Sequence, residues 1–66
     1  MQITINGDTH ELKDRATVRD MLDQLGFGEK PVVVELNKRA LFPREIGDSV
    51  LNDGDVVEVV QITAGG

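Results

Sequence analysis

The chain has 66 residues, 12 of them acidic and 7 basic, giving a net charge of −5 with its one histidine neutral, and it has no cysteine. A single domain of this size buries only about 60% of the surface its unfolded form exposes, so packing has to hold it without disulfides, and thiolate metal sites and cysteine nucleophiles are excluded. The acidic balance, with Phe27 and Phe42 as the only aromatic residues, argues against nucleic acid, whose phosphates are held by Lys and Arg, and for a basic protein partner.

Gln2-Ile3-Thr4-Ile5 alternates polar and apolar residues, the period of a half-buried strand. Asn6-Gly7 is a strong hairpin signal because both residues tolerate positive φ, so Asp8 to Leu12 is expected to return as a second strand, with Ile3, Ile5 and Leu12 facing the core. His10 shares the parity of Leu12 and reads as a structural residue at the core edge; with one histidine a zinc site would have to lean on carboxylates, an uncommon structural arrangement, and no metal site is expected. Met1 to Ile5 lacks the features of a signal peptide, and no apolar run approaches the roughly 18 residues of a membrane span. A soluble, cytoplasmic protein with no membrane partner is expected.

Thr17 reads as an N-cap with Asp20 as its capping-box partner. Val18, Met21, Leu22 and Leu25 fall at i, i+3, i+4 and i+7, the apolar stripe of one helix face. Gly26 is placed to end that helix in a left-handed conformation, with Phe27 folding back on Leu22. Val32 to Leu36 reads as a strand with Val32, Val34 and Leu36 inward and Glu35 outward. Asn37-Lys38 turns into the short segment Ala40-Leu41-Phe42, which Pro43 ends or confines to an edge. Arg44 to Ser49 reads as irregular, anchored by Ile46, and Arg39 and Arg44 are exposed basic residues.

Asn52-Asp53-Gly54-Asp55 is a tight turn. It is not a calcium loop, whose ligands continue over about twelve positions to a bidentate Glu. The last strand, Val56 to Ile62, places Val57 and Val59 on one face and Val56, Glu58, Val60 and Ile62 on the other. With the first pair packed on the helix, Val60 and Ile62 stand on the open face as a candidate partner-docking surface. Thr63-Ala64-Gly65-Gly66 follows. Such an end adds nothing to a core; it reads either as a frayed terminus or as a segment slim enough to enter a narrow tunnel in another protein.

One helix crossing one face of a mixed sheet of four to five strands is an α+β layer architecture, and after an N-terminal hairpin it is the β-grasp, or ubiquitin-like, arrangement. The expected organisation is a β-grasp domain over residues 1–62 and a flexible tail over residues 63–66. Strand order does not follow from periodicity.

Asn6-Gly7, Val32 to Asn37, Phe42-Pro43-Arg44, Asp53-Gly54-Asp55 with Val56 to Val60, and the terminal Gly65-Gly66 together resemble the ubiquitin-like sulfur carriers of thiamine biosynthesis, the ThiS proteins. The resemblance covers the whole chain without insertions. It departs where the family often has a further glycine before the last two, since this chain has Ala64 preceded by Thr63; alanine is small enough for the tail still to thread.

The resemblance implies a carrier rather than an enzyme. In that family the terminal carboxylate is adenylated from MgATP by an E1-like adenylyltransferase (ThiF-type), converted to a thiocarboxylate by sulfur relayed from a persulfide protein, and used by a thiazole synthase (ThiG-type). Here the modified residue would be Gly66 and the threading residues Gly65, Ala64 and Thr63, while Val60 and Ile62 would dock the partner. MgATP would belong to the activating enzyme, with no cofactor bound by this chain. The alternatives are a carrier for molybdopterin synthesis, a ubiquitin-related carrier or modifier, and a β-grasp interaction module that never reacts.

Overall fold

The structure, a computed structural model, describes residues 1–63. Five strands, β1 (Gln2–Ile5), β2 (Asp8–Glu11), β3 (Val32–Leu36), β4 (Arg39–Ala40) and β5 (Val56–Gln61), form one mixed sheet in the order β2-β1-β5-β3-β4. Two helices, α1 (Val18–Gln24) and α2 (Pro43–Ile46), complete the described elements. The last strand therefore lies in the middle. It runs parallel to β1, with Thr4 opposite Val56 and Ile5 opposite Val57, and antiparallel to β3, from Val32 opposite Gln61 to Leu36 opposite Val57.

Turn chemistry sets both hairpins. Asn6 and Gly7 have φ of 50° and 85°, and Asn37 and Lys38 have φ of 51° and 70°, the doubly left-handed pattern of a two-residue hairpin loop. The expected asparagine–glycine turn is formed, and β2 ends at Glu11, one residue short of Leu12. His10 is half-buried opposite Ile3, at the core edge as its parity required.

The first helix begins and ends as its sequence predicts. The Asp20 amide donates to the Thr17 hydroxyl at 3.1 Å, and the Thr17 amide donates to the Asp20 carboxylate at 2.9 Å, closing a capping box. At the other end Gly26 has φ of 87°. The Phe27 amide donates to the Leu22 carbonyl at 2.9 Å, and the Gly26 amide to the Asp23 carbonyl at 3.1 Å, the paired bonds of a Schellman motif. Val18, Met21 and Leu22 are fully buried, and Leu25 and Phe27 pack on the same cluster. Each fully buried side chain of this size contributes about 1.5–3 kcal/mol by leaving water. Opposite them, Ile3, Ile5, Val34, Val57 and Val59 supply the sheet side of the core, and Leu12, Ala16, Leu41, Ile46 and Leu51 complete the cluster.

The segment after β4 differs from the sequence expectation. The short segment stops before Pro43 and β4 lies at the sheet's edge, but β4 is Arg39–Ala40, without Leu41 and Phe42, and Arg44 to Ser49 is not wholly irregular: Pro43–Ile46 is a single helical turn. Proline fits there because the first helical residue needs no amide donor. Glu45, three residues after Phe42, accepts the Phe42 amide at 2.8 Å and also pairs with Arg39 at 3.3 Å. Ile46 is buried, as expected of the anchor.

Candidate functional site

The central position of β5 decides what its two faces can do. Val57 and Val59 are buried against α1's side of the sheet, whereas Val56, Val60 and Ile62 are 44%, 62% and 50% exposed. The period-2 reading holds within β5, which ends at Gln61, one residue short of the expected Ile62; Val60 lies on the sheet's open face with Glu58, and Ile62 is exposed just past the strand. The register adds a residue that the sequence reading left out of the surface. Val33 of β3 stands directly opposite Val60 and is itself 45% exposed, so the apolar patch spans two strands. The signal for it was present in the alternation of Val32 to Leu36, but without the register nothing joined it to Val60.

Two asparagines fix β5 in place, and neither role was visible as more than a turn. On the β1 side, where β1 stops at Ile5, the Asn6 side chain continues the ladder: its Nδ2 donates to the Val59 carbonyl at 3.2 Å and its Oδ1 accepts the Val59 amide at 2.8 Å. On the β3 side, the Asn37 Oδ1 accepts the Val56 amide at 2.9 Å, and the Asn37 amide donates to the Val56 carbonyl at 2.7 Å. The Asn37 Nδ2 also donates to the Asp55 carboxylate at 3.0 Å. Before β5, the turn carboxylates serve backbone amides, Asp53 accepting from Gln2 at 2.7 Å and Asp55 from Asn52 at 2.8 Å. They act as turn braces.

Past the end of β5, the Ile62 amide donates to the Pro31 carbonyl at 2.9 Å, so the strand's last exit is tied to the start of β3. Thr63 follows, exposed and outside regular structure. Gly66, Gly65 and Ala64, on which the modification and threading expectations fall, lie outside the described residues. Among the described residues there is no pocket and no group of three or more His, Asp or Glu side chains arranged to hold a metal. The two expected basic surface residues are both engaged locally, Arg39 with Glu45 and Arg44 over the Phe42 ring at 4.8 Å.

Comparison with known proteins places this geometry in a family. The model of the ThiS family matches residues 3–66. The chain belongs to the ThiS family. A sulfur carrier protein ThiS from Thermus thermophilus is 39% identical over 64 residues, covering 97% of this chain and 98% of that one. A thiazole synthase from Magnetococcus marinus is 36% identical over 66 residues, which is 100% of this chain and 20% of the synthase. Among solved structures, the ThiS thiamine biosynthesis protein from Geobacter metallireducens matches with a TM-score of 0.83 at 29% identity, over 100% of both chains. The ThiS fold is the β-grasp that the element order predicted.

Proposed function

We propose that this chain is a sulfur carrier whose Gly66 carboxylate becomes a thiocarboxylate and donates its sulfur to the thiazole of thiamine. The observation that carries the reading is the family match, which extends from the first strand to Gly66 itself. Favouring the thiamine pathway over molybdopterin synthesis, thiazole synthases carry a stretch similar to the whole of this chain. The chain is then a substrate of other enzymes in the cytoplasm and not a catalyst.

The chemistry follows from what a carboxylate lacks. It is a poor electrophile, because oxide is not a leaving group. An E1-like adenylyltransferase supplies one by joining a carboxylate oxygen of Gly66 to the α-phosphorus of MgATP with loss of pyrophosphate. The terminal sulfur of a persulfide then attacks the acyl carbon and expels AMP, giving an acyl persulfide; a second thiol of the partner enzymes attacks the inner sulfur, forming a disulfide with it and releasing the thiocarboxylate. A chain without cysteine has no thiol of its own to intercept the adenylate. Gly65, Ala64 and Thr63 are assigned to the passage into the enzyme, and Val60 and Ile62 to the surface that docks outside it.

Intact mass spectrometry tests the reading. With the cognate adenylyltransferase, MgATP and a persulfide donor, the C-terminal residue is expected to exchange one oxygen for sulfur, and a chain lacking Gly66 is expected to be refused. Absence of both adenylate and thiocarboxylate on the wild-type chain would overturn it.

A further inference from the structure

On the open face of the sheet, Glu35 of β3 lies directly opposite Glu58 of β5. Both are exposed, and Ala40 of β4 stands on the other side of Glu35. Like charges at opposed positions weaken a sheet. Neither carboxylate enters an ion pair among the described residues, where the acidic partners are Glu11, Asp14, Asp23 and Glu45. The outward positions of all five strands include no lysine or arginine to offset the repulsion. Two residues along, on the side that leads to the tail, is the exposed Val33–Val60 pair.

We infer that the Glu35–Glu58 pair is a recognition element that receives an arginine from a protein partner whose adjacent apolar side chains cover Val33 and Val60. The inference rests on the carrier reading and adds the chemistry of the surface that docks. Opposed residues in an antiparallel sheet hold their Cβ atoms about 5 Å apart, a spacing that one planar guanidinium, with donors on both edges, can bridge. Covering Val33 and Val60 removes water from beside the carboxylates and so strengthens that contact. The chain's net charge of −5 draws the same basic surface from a distance. What is a repulsion in the free chain becomes an attraction in the complex, because the third charge arrives with the partner.

The test sets stability against binding, using the full chain and its cognate thiazole synthase. Glu35→Gln and Glu58→Gln are each expected to raise the thermal midpoint of the free chain, by about 2–4 °C. Each should also slow association with the synthase about tenfold at low salt and flatten its salt dependence. Glu35→Lys, which restores opposite charges across the strands, is expected to be more stable still and to bind worse than Glu35→Gln. Asp48→Asn makes the same change in net charge beyond α2, away from this face, and is expected to bind as wild type. A wild-type chain that binds, with Gln variants that bind equally well at every salt concentration, would overturn this inference alone; so would an equal loss in Asp48→Asn. A wild-type chain that neither binds the synthase nor accepts sulfur would overturn the carrier reading, and this inference with it.

Discussion

Asp20 shows how one side chain ties the start of a helix to solution pH. The bond from the Thr17 amide holds its carboxyl below the ordinary value of 3.8; slight burial opposes this, and the Thr17 hydroxyl and the charge of Lys13 add to the lowering. A carboxyl whose folded value is depressed contributes stability that is fully present above its unfolded value. That stability is lost as pH falls through the folded one. Asp20→Asn is therefore expected to be less stable than wild type near neutral pH, with the difference closing below pH 3.8. Urea unfolding at both pH values measures it, and a gap that stays constant would mean the carboxylate's charge is not the cause. This residue was legible in the sequence because a cap needs only local spacing, Thr17 to Asp20. Glu45 was not, although the Phe42 amide likewise holds it below its ordinary 4.5. A four-residue helix has no apolar period, and its proline fits an edge strand equally well.

At the scale of elements, β5 is held by side chains where neighbouring strands run out. Asn6→Gly keeps the positive φ of the turn but removes both bonds to Val59. It is expected to cost about 1–2 kcal/mol, since an amide and a carbonyl of the central strand lose their partner. Chemical denaturation gives the magnitude, and faster amide exchange at Val59 locates it; a loss confined to the hairpin amides would argue that only the turn matters. The alternation within β1, β3 and β5 was readable because side-chain parity is local. The order of the strands, and so the meeting of Val33 with Val60 and of Glu35 with Glu58, was not. Periodicity says which way a side chain points but not which strand lies beside it, and Asn6 declared itself as a turn residue while its amide was bonding 53 positions away.

For the molecule as a whole, a chain of this length has roughly 3–10 kcal/mol of stability to lose. Leu22 is fully buried between α1 and the sheet. Leu22→Ala is expected to cost about 3 kcal/mol and to lower the thermal midpoint by more than about 10 °C, followed by circular dichroism; a shift of only a degree or two would mean the surrounding side chains collapse into the space. The same economy of size makes the parallel pairing of β1 with β5 consequential during synthesis. The first strand emerges from the ribosome long before its central neighbour is translated, and contacts between distant parts of a chain form slowly. Until β5 is released, the hairpin, α1 and β3 have no strand to join them. A prematurely terminated chain therefore lacks the one element that unites the sheet, and with it the face on which Val33 meets Val60.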